Sequence, residues 1–232
     1  MLVNSPISQL TVICICAIDP TNWNRPVYSK MWVDRLYQAV KRNLHIPFDF
    51  VCMSNDLDQD ECDYHIQKLE TDSWGWWYKF EMFKPGRFSG PCLYIDLDNL
   101  ICKDITDIVK NLPQDLFLMP TEPYKDILNG STIFWNGDYS DLYLEYVNNQ
   151  EQIVDQYRYA TEQQPATGDQ GFIKDRLHNL EAFDNYTPKN FFGWKHHIAG
   201  THINDPSVLI FTGNEKPINN QDLELVKLHW RD

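Results

Sequence analysis

The sequence predicts a single α/β domain built on a mostly parallel central sheet flanked by helices. Three observations carry that reading. Two nearly continuous apolar, β-prone runs, residues 10–18 and 48–53, bracket a stretch with helical apolar spacing, which makes a strand–helix–strand unit with short joints. A third run, residues 92–95, follows a Pro-bounded turn and closes on two acids, Asp96 and Asp98, with one apolar residue between them. The 232 residues, 43% hydrophobic and 14% aromatic, are enough for one full core, and no repeat, low-complexity tract or linker divides them.

The unbroken apolar character of residues 10–18 suits a central strand covered on both faces, and Asp19, Pro20, Thr21 and Asn22 end it. Over residues 27–44, Met31, Val33, Leu36, Tyr37, Val40 and Leu44 recur at helical spacing, with Asp34, Arg35, Lys41 and Arg42 left for the wet face. Residues 48–53 are the second strand, closing on 54–56. An acidic connection over 57–72 has room for a short strand at 64–69. The aromatic block 74–83 reads as a helix that Lys84, Pro85 and Gly86 terminate before the strand leading to Asp96 and Asp98. Residues 116–119 form a short strand, and 129–135 a turn entering another. Residues 139–159 are helical by Leu142, Leu144, Tyr146, Val147, Ile153 and Val154, and a further helix opens at Gly168 and runs through Leu180. The last third, from residue 190, reads as loop-rich, with a strand at 208–211 and a terminal helix over 220–230.

Twenty Lys and Arg against 33 Asp and Glu leave a formal net charge of −13, which argues against a nucleic-acid partner. Residues 1–10 lack the basic flank and apolar core of a secretory signal, and no apolar run approaches the ~18 residues of a membrane span. Cys14, Cys16, Cys52 and Cys92 fall inside strands, Cys102 follows the acid pair and Cys62 lies in the acidic connection, with no Cys-x-x-Cys spacing. Packed, reduced thiols in a cytoplasmic protein are the expectation.

The chemistry centres on Asp96 and Asp98. A repeat of two places both on one side of an extended chain, at or just past the strand's end. Two carboxylates that close repel unless a cation lies between them. Hard ions such as Mn²⁺ or Mg²⁺ take oxygen ligands, typically one or two carboxylates plus the phosphates of a substrate. The pair is therefore suited to holding a metal against a nucleoside diphosphate, and ordinary turn acids are the other reading. Ligands of parallel sheets bind outside the carboxyl ends of the strands. That places residues 17–19, including Ala17 and Asp19, together with Tyr28 and residues 54–56, around a nucleotide pocket.

Taken in order, residues 28–44 with 50–56, 75–83, 93–98, 128–131, 168–170, 194–197 and 211–217 resemble the GT-A-fold glycosyltransferases of the metal-dependent, nucleotide-sugar type. More narrowly, they resemble small bacterial, phage or viral members distantly related to the glycogenin-like families, for which a viral or phage chain would act in host cytoplasm. The resemblance implies a Rossmann-like sheet, a nucleotide-binding half (1–110) ending in the Asp-x-Asp, and an acceptor and sugar half (111–232). It implies hexosyl or pentosyl transfer from a nucleoside diphosphate sugar to a glycan or protein hydroxyl, with Mn²⁺ or Mg²⁺ as cofactor. Asp98 is then the direct metal ligand, and Asp96 meets the metal through water or meets the ribose. Lys79, Lys195 and Lys216 support the donor, Asn129 and Ser131 touch its sugar, and Asp169 and Gln170 stand at the reaction centre. Asp169 is a base if the enzyme inverts the anomeric carbon; it orients the sugar, with Gln170 beneath that carbon, if the enzyme retains it. One departure stands out. The family's late Gly-x-x-Lys-Pro element usually carries a His just before its Gly, whereas Ile210, Phe211 and Thr212 precede Gly213 here. Water, the diphosphate, Asn214 or a His such as His197 is left to complete a metal shell.

Several residues have a plain structural reading as well. Gly168 and Asp169 fit a helix N-cap, and Asn129 to Ser131 fit a simple turn. Asp104 and Asp107 read as solvent-facing acids at a helix start. Trp74, Trp76 and Trp77 could offer faces for a sugar ring, but on a helix they splay by about 100° each, and most are expected in the core. Adjacent His196 and His197, with His202, lack a closed zinc set. Two other functions fit less of the chain. A nucleotidyltransferase acting on a sugar phosphate wants a Gly-rich, basic loop after the first strand, which residues 19–22 do not supply. A non-catalytic sugar-binding module on a decayed transferase fold would accommodate the missing His.

Overall fold

Strand β1 (Leu10–Cys16) is buried on both faces, and its side chains divide between two cores by their alternation. Leu10, Val12, Cys14 and Cys16 face one core, and Ile13 faces the other. This computed structural model describes residues 5–17, 28–161, 166–196, 200–202 and 205–231. Helix α1 (Lys30–Asn43) covers the first face with Trp32, Val33, Leu36, Ala39 and Val40, the stripe that its apolar spacing predicts. Strand β2 (Phe48–Ser54) returns parallel to β1 with Val12 opposite Phe50, and β3 (His65–Lys68) extends the sheet beyond it. Strand β4 (Pro91–Ile95) lies parallel on the other side of β1, with Val12 opposite Leu93.

After the acid pair come β5 (Leu100–Ile101) and α2 (Thr106–Lys110), and the Asp104 carboxylate accepts the Thr106 N–H at 2.8 Å, as a helix-start acid should. Strand β6 (Phe117–Met119), the small hairpin β7 (Thr121–Glu122) and β8 (Ile127–Leu128), and β9 (Thr132–Asn136) follow. Helices α3 (Ser140–Asn148), α4 (Gln150–Gln156) and α5 (Gly168–Arg176) lead to β10 (Leu180–Ala182). The main sheet has seven strands in the order β10-β6-β9-β4-β1-β2-β3, all parallel to their neighbours except β9, which runs against both β4 and β6. Strands β11 (Phe192–His196), β12 (Gly200–His202) and β13 (Val208–Thr212) pair with β5 in a second sheet, and α6 (Glu224–His229) closes the chain. Trp230, just after α6, packs against Trp32 with ring centres 5.0 Å apart.

Several expectations are corrected. Residues Gly75–Phe83 form a 3₁₀ helix of nine residues rather than an α-helix. A 3₁₀ helix has three residues per turn, so side chains three apart eclipse. Trp77, Phe80 and Phe83 recur at that interval and enter the second core, where Phe80 packs on Tyr146 and Phe172. Of the three tryptophans only Trp77 is buried; Trp74 and Trp76 are each 37% exposed. The helix expected over 139–159 breaks at Asn149, whose amide donates back to the Glu145 carbonyl at 3.0 Å. The helix from Gly168 ends at Arg176, because Leu180 belongs to β10. The last third is richer in strand than its composition indicates, and its terminal helix is shorter than residues 220–230.

All six cysteines are free, and burial pushes the thiols of Cys16, Cys92 and Cys102 up to about 12, so these stay protonated and packed. No helix among the described residues is long and apolar enough to cross a membrane.

Candidate active site

The turn that carries the two acids is tied to the start of β9. The Asp96 N–H donates to the Ser131 carbonyl at 2.8 Å, and the Asn99 side-chain amide donates to the same oxygen at 2.9 Å. Strand β4 ends at Ile95, and the acids lie on the turn beyond it, which the Asn99 N–H closes on the Asp96 carbonyl at 3.1 Å, with Leu97 between them buried in the first core. Asp96 and Asp98 face a cavity of about 320 Å³ outside the carboxyl ends of β1, β4 and β13, a usual size for a small-molecule site.

Most of the residues chosen from sequence meet there. Ala17, Tyr28, Lys79, Asp96, Asp98, Asn129, Ser131, Asp169, Gln170 and Lys216 all line the cavity. Lys195 does not: on β11 its ammonium lies 3.9 Å from the Glu215 carboxylate, outside the lining. Ser54 and Asp56 do not either; the Ser54 hydroxyl accepts the N–H groups of Asp56 and Leu57, both at 3.1 Å, and closes the turn after β2. Asp19 and His197 lie outside the described residues, as does the side chain of His202.

An alternating series of charges runs along the cavity. The Asp98 carboxylate, 3% exposed, accepts hydrogen bonds from the Lys216 ammonium and, at 2.9 Å, from the Tyr28 hydroxyl. The Asp96 carboxylate accepts from the Tyr94 hydroxyl and lies 3.3 Å from the Lys79 ammonium. Lys79, 6% exposed, donates to the Gly130 carbonyl at 2.7 Å, sits 3.1 Å from Asp169 and lies 5.1 Å from the centre of the Tyr94 ring. Burial alone would lower the Lys79 pKa, but Asp169 and Asp96 overcome it and hold the value above that of an ordinary lysine. Burial pushes Asp96 the other way, up to about 6; Lys79 opposes that rise, and Asp98 and Asp169 add to it.

Two glycines allow this closeness. A Cβ on Gly130 would lie 2.6 Å from an Asp169 oxygen, and one on Gly168 would lie 2.5 Å from the Trp76 indole nitrogen. Gly168 also has φ of +63°, a region costly for other residues. The N-cap of α5 is Thr167, and no side chain caps it, so Asp169 spends its carboxylate on Lys79 instead. Gln170 accepts the Gly130 N–H at 3.2 Å, which couples the start of α5 to the loop before β9. Asn129 accepts the Ser131 N–H at 2.9 Å, so its turn-forming role and its place on the cavity wall coexist.

No protein family and no curated protein matches the sequence. Solved structures do match the fold. The galactosyltransferase LgtC, crystallised with donor and acceptor sugar analogues, superposes with a TM-score of 0.61 over 94% of this chain and 93% of that one, at 11% identity. GlyE of Streptococcus pneumoniae gives 0.60 over 95% of this chain and 60% of its own, at 13% identity. The bifunctional glycosyltransferase WbbM gives 0.57, over 95% and 48%, at 10%. The chain has the GT-A glycosyltransferase fold.

Within the GT-A frame, the donor chemistry of the acid pair can be tested against a divalent ion. Asp96 and Asp98 offer hard carboxylate oxygens, and the raised pKa of Asp96 reflects burial beside two other acids, a crowding that a second cation would relieve. Among the described residues no three His, Cys, Asp or Glu side chains gather as a metal-ligand set. The segment before Gly213 supplies no strong ligand: Ile210 and Phe211 are core residues, and Thr212 brings only a buried hydroxyl with no hydrogen-bond partner among the described residues. The residues therefore fit an ion held by the two carboxylates, with phosphate and water oxygens filling the other positions.

Sequence reading missed Tyr94, and it named Trp76 only as one of three rings that could offer a face to a sugar. Tyr94 reads as a buried strand residue, and the spacing of Trp76 to Lys79 gains meaning only once the helix is known to be 3₁₀.

Proposed function

We propose that this protein is a metal-dependent glycosyltransferase that moves a sugar from a nucleoside diphosphate sugar to an acceptor hydroxyl. The observation that supports this most directly is the convergence, in one cavity of a GT-A fold, of the Asp96–Asp98 pair with Asp169 and Gln170 through the shared Lys79. Asp96 and Asp98 would hold Mn²⁺ or Mg²⁺, which would supply positive charge against the diphosphate leaving group. Lys216 moves from Asp98 to a phosphate oxygen when the donor binds, and supports the charge that grows there. Ala17 and Tyr28 border the nucleoside, and the 129–131 loop borders the donor sugar. Lys79 keeps Asp96 and Asp169 at fixed separation, so the diphosphate pole and the sugar pole hold one geometry. Asp169 is already paired with Lys79, which favours a role in orienting the sugar hydroxyls over that of a free base, and Gln170 lies next to it at the anomeric centre.

The test is donor hydrolysis across a panel of nucleotide sugars with Mn²⁺, Mg²⁺ or EDTA, reading released nucleoside diphosphate. Metal-dependent release from one donor, lost in Asp98→Ala, is the expected result and names the sugar. No release together with no metal-dependent nucleotide binding would overturn the reading.

A further inference from the structure

Trp76 is the one member of the tryptophan cluster that lines the cavity: Trp77 is 3% exposed in the second core, and Trp74 does not reach the lining. The three-residue turn of Gly75–Phe83 puts Trp76 and Lys79 one above the other on the cavity side. The Trp76 indole nitrogen lies 2.5 Å from where a Cβ of Gly168 would be, directly before Asp169 and Gln170. Lys216 pairs with Asp98 at one pole, ion pairs lead from Asp96 through Lys79 to Asp169, and Gly168 next to Asp169 meets the indole at the other pole. The first pole is ionic and suits a diphosphate. The second presents a large aromatic surface, 37% exposed, beside an acid and an amide.

We propose that Trp76 is the platform on which a saccharide acceptor stacks, which makes the acceptor a neutral glycan. This rests on the transferase reading above. A pyranose ring carries its axial C–H groups as an apolar patch with hydroxyls around the rim. An indole face covers such a patch, and its place beside Asp169 and Gln170 would bring an acceptor hydroxyl to the anomeric centre that those two residues border. The exposure of the ring matches a substrate that enters and leaves across the cavity mouth after the donor has filled the ionic pole. A Ser or Thr hydroxyl on a polypeptide brings no ring to stack. The formal charge of −13 opposes an anionic glycan.

The test combines saturation-transfer NMR and titration, using a panel of neutral di- and trisaccharides built from glucose, galactose, mannose and N-acetylglucosamine. Wild type is compared with Trp76→Phe, which keeps an aromatic face, and Trp76→Leu, which keeps apolar bulk only. Thermal melts show that each variant folds. At least one saccharide should bind the wild type; Trp76→Phe should remain within about threefold of it, and Trp76→Leu should bind about tenfold more weakly. Equal affinity in Trp76→Leu, no saccharide binding by the wild type, or transfer to a tyrosine-bearing peptide in place of a saccharide would each overturn the inference. Nucleoside diphosphate binding by the wild type is measured alongside. Its loss would sink the transferase reading itself, whereas intact nucleotide binding with no role for Trp76 would sink only this inference.

Discussion

The ammonium of Lys79 stands between Asp96 and Asp169, 3.3 Å from the first and 3.1 Å from the second, with almost no access to solvent. A cation so placed is both a structural tie and a spacer between the two poles of the cavity. Removing one partner from a buried ionic cluster costs about 3–5 kcal/mol, since the remaining charges stay buried without compensation. Lys79→Met should therefore melt well below the wild type and lose at least about a hundredfold in kcat/KM. Lys79→Arg should not rescue it, because a planar fork cannot replace a point charge that also donates to the Gly130 carbonyl. Thermal melts and steady-state kinetics check both.

On the proposed function a divalent ion would compete with Lys216 for the Asp98 carboxylate. Without nucleotide, Lys216→Ala should bind Mn²⁺ more tightly than the wild type, yet bind the nucleoside diphosphate more weakly, since a phosphate contact is gone. Titration of each ligand alone would show the two affinities moving in opposite directions; movement in the same direction would contradict the shared role.

Gly130→Ala should cut turnover by about ten- to a hundredfold with a modest loss of stability, about 1–3 kcal/mol. The new Cβ would lie 2.6 Å from an Asp169 oxygen, so Asp169 has to leave its place at the sugar pole. Kinetics set against a melt separate this local displacement from general unfolding.

The acid pair and its partners were legible in the sequence because each rests on a short spacing. Asp96 and Asp98 both line the cavity, although β4 ends at Ile95 and a turn, rather than the strand period, brings them there. The β1–α1–β2 unit followed from patterning that the packing then used. Other features depend on tertiary context. Tyr94 reads as a core residue, and only the fold brings its hydroxyl to Asp96. Most of Trp74, Trp76 and Trp77 are expected in the core on α-helical spacing, whereas the 3₁₀ turn buries only Trp77. Strand β11 carries Gly193, Lys195 and His196 among its aromatics, so it lacks a strand-like composition. Lys195, matched by motif, is directed toward Glu215.

Asp96 links the site to pH. Burial raises its folded-state pKa to about 6, above the ~3.9 of an unfolded aspartate, so the folded protein binds this proton more tightly than the unfolded chain. Its contribution to stability therefore falls as pH rises from about 4 through 6, and ionised Asp96 costs the metal-free fold on the order of 1–3 kcal/mol at neutral pH. Asp96→Asn should gain on the wild type over that window, and added Mn²⁺ should narrow the gap by stabilising the wild type alone. Melting curves across pH, with and without Mn²⁺, provide the check.

The central claim is that the Asp96–Asp98 turn holds a divalent ion against a nucleoside diphosphate. Calorimetric titration of a nucleoside diphosphate panel into the wild type and Asp98→Ala, with Mn²⁺ or with EDTA, tests it most directly. The account predicts micromolar-range binding of one nucleotide that requires both the metal and Asp98, on the order of −8 kcal/mol. Binding of equal strength in EDTA and in Asp98→Ala would contradict it.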